Sequence, residues 1–338
     1  MGELVRSFAV ALALAYLLAA QSFPLKPVKK DPPRAQLLSV RKISGDAPHS
    51  AFTDLIRFRG RWFCAFREGQ KHVSEDGSIR ILTSGDAEKW EPSALLTYPV
   101  ADLRDPKLTI TPDGQLMLTA AGAMHPPSDI RHKTFVWFSA DGRDWSAAEM
   151  VGDPDVWLWR VTWHINRAYG MGYSTAGDRF LRQYSSADGR KFEVWNARVY
   201  DKEKPSESAL TFFPDETALC LLRRDGDPAT AQLGRSRPPY RGWTWQDLGT
   251  RIGGPSLLRL PDGRLIAGVR LYDGRQRTAL CWLDAEQGTL TEFLTLPSGG
   301  DSSYPGLVFH EDELYVSYYS SHEGRTSVYL ARVRIPGF

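Results

Sequence analysis

The chain has 338 residues with 42 Lys+Arg against 40 Asp+Glu, a formal charge of +2. That balance supplies neither the basic excess of a nucleic-acid binder nor an acidic solvated tail. Hydrophobic residues at 42% exclude disorder as the main state, and 11 Trp, 13 Tyr and 15 Phe beside 29 Gly and 22 Pro point to short strands joined by tight turns.

The segment 1–22 places Arg6 before an apolar run, Phe8 to Ala20, followed by Gln21 and Ser22. This reads as a secretory signal peptide, too short to cross a bilayer comfortably. Secreted or periplasmic localisation is expected, with no membrane span after cleavage. Residues 23–35, rich in Pro and Lys, read as a linker, and 36–338 as one domain. Cys64, Cys220 and Cys281 each sit inside an apolar strand-like run, so buried free thiols are expected rather than a disulfide framework.

The body repeats. An apolar strand, a turn carrying Gly or Asp, a second strand and a more polar outer segment recur from starts near 52, 106, 160, 207, 254 and 304. A period of about 50 residues matches propeller blades of four strands. The expected fold is all-β: a six-bladed β-propeller of antiparallel blades. The sixth unit runs out of chain one strand short. The strand 37–44 is expected to complete it beside 326–334 and leave no open edge.

Ser139–Trp145 (SADGRDW) and Ser185–Phe192 (SSADGRKF) resemble the Asp-box hairpins of the sialidase (neuraminidase) superfamily, in degenerate form, and Thr83–Trp90 (TSGDAEKW) is a further variant with Ala in place of Gly. The resemblance implies a glycoside hydrolase on this fold. In that family three arginines bind the substrate carboxylate, a Tyr nucleophile is activated by a Glu, and an Asp serves as acid/base. Glu207, Arg224 (or Arg223), Arg270 and Tyr304 follow the family's chain order. The fork of Arg suits a planar carboxylate, and a phenol needs a neighbouring carboxylate to take its proton. The acid is Asp76 or Asp105. The chain departs from the family at His49–Leu55 (HSAFTDL), where an Arg-Ile-Pro would stand, and Arg67 in the following FREG is the candidate substitute.

Charged residues ending the apolar strands complete the expected site: Glu68, His72, Arg104, Arg160, Asp301 and His322 as substrate contacts. The expected partner is a glycan, an acidic sugar being one candidate, and not nucleic acid. The chain carries no HExxH, no ligand spacing among its 7 His and no nucleotide-binding fingerprint, so neither metal nor cofactor is expected. Two other readings use the same residues. One is a glycosidase using Asp105 and Glu207 as its carboxylate pair. The other is a non-catalytic glycan-binding propeller in which Trp157, Trp159 and Trp163 supply apolar faces.

Overall fold

The computed structural model describes residues 34–338. The expected signal peptide, 1–22, and most of the expected linker, 23–35, lie outside the described residues. Six four-stranded antiparallel sheets make up the chain, and they form the six blades of a propeller. Blades one to five are consecutive in sequence, and their innermost strands are His49–Phe58, Ala101–Ile110, Val156–His164, Pro205–Phe212 and Ile252–Arg259. Among the described residues no helix is long and apolar enough to cross a membrane.

Blade six is built from both ends of the domain. Its inner three strands are Ser302–His310, Glu313–Ser320 and Ser327–Arg334, and the outermost is Gln36–Ser44. Gln36 pairs with Arg334 and Ser44 with Val328. The expected closure at 37–44 is therefore found. Deleting 36–44 should unpair the edge of Ser327–Arg334, lower the melting temperature and promote aggregation. Unchanged melting and monodispersity by light scattering would contradict that outcome.

The blades are held together by apolar faces in layers. Phe63, Ile79 and Ile81 of blade one pack against Leu103, Leu118 and Phe135 of blade two. Leu219 and Leu233 of blade four pack likewise on Val269 and Leu283 of blade five. Alternation along each strand delivers these side chains to one face, which is why the sequence repeat was visible. Cys64, Cys220 and Cys281 are buried free thiols, and burial pushes the Cys220 thiol up to about 12.

The turns noted in the sequence share one hydrogen-bond pattern. Asp141 Oδ1 accepts from the backbone N–H of Arg143 and Asp144 at 2.8 and 3.0 Å, and Asp188 Oδ1 from Arg190 and Lys191 at 2.8 Å each. Asp86 does the same with Glu88 and Lys89. So does Asp284 with Glu286 and Gln287, a turn with no signature around it. An aspartate capping its own turn satisfies donors that the sheet leaves open. Gly142 shows why one such turn needs glycine: its φ is 78°, and a Cβ there would stand 2.2 Å from Phe63 of the neighbouring blade.

Candidate active site

The innermost strand of every blade slips register near its start. The shifts fall at Ala51/Asp54, Arg104/Lys107, Leu158/Arg160, Pro205/Ser208, Gly253/Ser256 and Ser303/Gly306. Each shift leaves residues out of the pairing, two in five blades and one in blade three, and re-aims them, so six irregularities at equivalent positions set one ring of residues at one mouth of the propeller. The ring consists of Phe52, Asp105, Trp159, Glu207, Gly254 and Tyr304. Four of them have positive φ: Phe52 at 60°, Asp105 at 50°, Gly254 at 54° and Tyr304 at 52°. Non-glycine residues hold such angles only where the surroundings impose them, and such strain gathers at functional sites.

Tyr304 is the hub of the ring. Its ring centroid lies 5.2 Å from that of Phe52 and 5.7 Å from that of Trp159, both edge-on. Gly254 clears a further side, since a Cβ there would come within 2.7 Å of the Tyr304 ring. The Tyr304 hydroxyl donates to Glu207 Oε1 at 2.5 Å. Arg223 Nη1 donates to Glu207 Oε2 at 2.9 Å and to the Tyr304 oxygen at 3.2 Å, and the Gly254 N–H reaches Glu207 Oε2 at 2.8 Å. Burial raises Glu207, but Arg223 and these hydrogen bonds outweigh it and hold the carboxyl below its usual range. Burial and the Glu207 charge push the Tyr304 phenol well above its ordinary value, against Arg223 and Arg270. At rest the pair is thus phenol and carboxylate, with the shared proton on the tyrosine oxygen.

Asp105 stands across the ring. It is 5% exposed, its Oδ1 has no hydrogen-bond partner, and burial lifts it to about 6, opposed by Arg104 and Lys107. Asp76 is different. It lies exposed on the loop after the second strand of blade one, accepts from the Gln70 N–H at 3.1 Å, and is held below its ordinary range chiefly by Ser74.

Beside Tyr304, Arg270 donates to the Ser302 carbonyl at 2.8 Å through Nε and to the Tyr319 hydroxyl at 2.9 Å, and its guanidinium lies 5.3 Å over the Tyr304 ring. Asp301 joins this group: its Oδ1 accepts from Tyr319 at 2.8 Å, and its Oδ2 lies 3.0 Å from His49 Nε2 and 2.6 Å from His72 Nδ1. Burial raises the Asp301 carboxyl, but the hydrogen bonds from both imidazoles overcome it and keep the group far below its usual range. Among the described residues, His49, His72 and Asp301 are the group whose donor atoms, all within 4.8 Å, could hold a cation. Both imidazoles sit at hydrogen-bonding distance from one carboxylate oxygen, however, and Arg270 lies 3.6 Å from the other.

Three expected substrate contacts turn away from this ring. Arg224 donates to Glu203 at 2.8 Å, to Asp247 and to the Thr230 carbonyl, so Arg223 is the neighbour that faces the site. Alternation along Ala218–Arg224 forces adjacent residues to opposite faces, and the bulge on the partner strand decides which faces inward. Arg67 is fully buried, binds Asp102 at 2.8 Å and donates to the Lys71 carbonyl and Ser74, leaving nothing for a ligand. It is a structural pair and does not substitute for the missing arginine. His322 bonds Ser320 at 2.9 Å and packs on Tyr329 within blade six.

Glu68 is occupied by Arg80 at 3.1 Å. Arg160 clasps Asp54 with two hydrogen bonds, 3.1 and 3.2 Å, in the interior of the ring. Arg104 lies over the Phe52 ring at 5.2 Å, with its Nε unpartnered. Of the proposed tryptophans, Trp159 is in the ring, Trp157 stacks on Tyr173 at 5.9 Å beside it, and Trp163 packs further out, against blade two.

The sequence reading passed over His49, Phe52, Lys107 and Tyr319. A signal for the ring existed in the residue before proline in three blades, Asp105-Pro106, Gly254-Pro255 and Tyr304-Pro305. A groove of about 1070 Å³ between blades four and five, lined by Phe213, Arg235 and Trp282, lies at the opposite strand ends and contains none of the ring residues.

No protein-family model and no curated protein sequence matches the chain. Solved structures do. A protein of unknown function from Dyadobacter fermentans aligns at TM-score 0.79 and 20% identity over 90% of this chain and 100% of its own. An alpha-L-arabinanase from Penicillium chrysogenum aligns at TM-score 0.66 and 15% identity, over 88% of this chain and 98% of its own. The Trypanosoma rangeli sialidase aligns at TM-score 0.67 and 11% identity, over 89% of this chain and 60% of its own. The fold is the six-bladed propeller of sialidases and arabinanases. At these identities the likeness shows the fold alone, and the chemistry rests on the ring.

Proposed function

We infer that this chain is a secreted, retaining glycoside hydrolase of the sialidase-like kind, with Tyr304 as nucleophile, Glu207 as its base and Asp105 as acid/base. The observation that carries this reading is the 2.5 Å contact between the Tyr304 hydroxyl and an ionised Glu207, facing an unpartnered, raised carboxyl at Asp105. A buried tyrosine does not ionise in advance. Its proton passes to Glu207 as the phenolic oxygen closes on the anomeric carbon, and Arg223 and Arg270 stabilise the oxygen during the transfer. Asp105 gives its proton to the departing glycosidic oxygen. In the second half Asp105, now ionised, takes a proton from water as that water displaces Tyr304, and Glu207 returns the phenolic proton.

Asp105 is preferred to Asp76 because a general acid must be protonated near the working pH. Asp105 is lifted to about 6 whereas Asp76 is lowered. The test is hydrolysis of a panel of aryl glycosides across pH. Activity is expected on at least one, with kcat/KM falling as pH rises through about 6 while Asp105 loses its proton. It should fall again below the ordinary glutamate range as Glu207 gains one. Binding of sugars without any turnover would instead favour the glycan-binding propeller.

A further inference from the structure

The arginines beside Tyr304 already hold carboxylates of the protein itself. Arg223 is 2.9 Å from Glu207 and 2.9 Å from Asp225, and Arg270 is 3.6 Å from Asp301. These two arginines therefore face three carboxylates between them. The Nε side of Arg223 is taken by Asp225, and that of Arg270 by the Ser302 carbonyl. A bidentate carboxylate clamp needs two parallel N–H groups free on one edge. Arg224 and Arg67, which would have added further forks, are committed elsewhere. The slot where an arginine would open blade one is instead bordered by His49 and Phe52.

Asp301 is the decisive group. Its side chain is 27% exposed toward the mouth, it is one arginine away from the Tyr304 ring, and its imidazole partner His72 is 49% exposed. His72 also stands edge-on to Phe52 at 5.1 Å, so the pair rims the same opening as the nucleophile. An ionised carboxylate accepts hydrogen bonds from neighbouring hydroxyls, the imidazole N–H beside it donates to them, and the carboxylate repels a second carboxylate brought into contact.

We propose that the substrate is a neutral glycoside whose ring hydroxyls are read by Asp301 and His72, and that Asp301 excludes sugars bearing a carboxylate. This rests on the hydrolase reading for its assignment of the site, and it adds the substrate class. Exclusion by a placed like charge is a specificity device distinct from added attraction.

Calorimetry with free sugars tests this without turnover. Wild-type protein should bind at least one of arabinose, xylose, galactose and fucose, and give no heat with N-acetylneuraminate or glucuronate at equal concentration. Asp301→Asn, which keeps the shape and removes the charge, should gain at least about tenfold in affinity for a carboxylate sugar. His72→Ala, at an exposed position that does not threaten folding, should lose about tenfold on the neutral sugar and gain nothing on the acidic ones. An acidic sugar bound by wild type more tightly than every neutral one, silence from all four neutral sugars, or neutral binding unaffected by His72→Ala would each overturn the proposal. Its failure and that of the hydrolase reading are separable: neutral binding with no aryl glycoside hydrolysed sinks only the latter, while turnover of an acidic glycoside sinks only the former.

Discussion

Replacing Tyr304 by Phe should reduce kcat by at least about 10³-fold on whichever aryl glycoside the wild type cleaves, because the nucleophilic oxygen is removed outright. The fold should survive. The hydroxyl makes two hydrogen bonds, to Glu207 and Arg223, while Glu207 retains Arg223 and the Gly254 N–H. The loss is on the order of 1–2 kcal/mol, a shift of a few degrees for a domain this large. The aromatic packing on Phe52 and Trp159 is unchanged. Glu207→Gln should fall by a comparable factor, and the double variant no further than the worse single one, because base and nucleophile act as a unit. Independent, multiplying losses would show that the two residues do not share a step.

Asp105→Asn should cost on the order of 10²–10⁴-fold in turnover, the usual range for a positioned general acid, and at the same time stabilise the protein at alkaline pH. The native state raises Asp105 from 3.8 to about 6 by burying it, so its contribution to stability is lost as pH rises through about 6. A shift of about two units corresponds to roughly 3 kcal/mol in the limit, less where water relaxes the site. Asparagine is neutral, nearly isosteric and at ease with the φ of 50° at this position. The melting temperature of the variant should exceed wild type at pH 8, and the gap should close below pH 4. A wild type that is the more stable at pH 8 would show that Asp105 is not an uncompensated buried acid.

Much of the fold was legible because its period is written in apolar residues. The starts read near 52, 106, 160, 207, 254 and 304 fall inside the innermost strands, and 37–44 lies within Gln36–Ser44. The proximity of Tyr304 and Glu207 was legible for the same reason, since equivalent early positions of different blades converge at the axis. Arg223 and Arg224 could not be told apart. Their choice of face turns on a bulge at Pro205/Ser208, which leaves no trace in composition. Arg67 was misjudged because its partner Asp102 is on the next blade, and a long-range ion pair has no sequence period. His49 and Asp301, 252 residues apart, were invisible as a pair for that reason too.

Blade six carries a kinetic consequence. Gln36–Ser44 is the first strand of the domain to be made and must wait for Ser327–Arg334, the last. Blades one to five hold neighbouring segments and can form from local contacts, whereas the closing strand pair spans nearly the whole domain, the kind of contact that slows folding most. The ring of six bulges needs all blades in register. A chain stopped short of residue 327 would leave Ser302–His310 and Glu313–Ser320 without the third and fourth strands of their sheet.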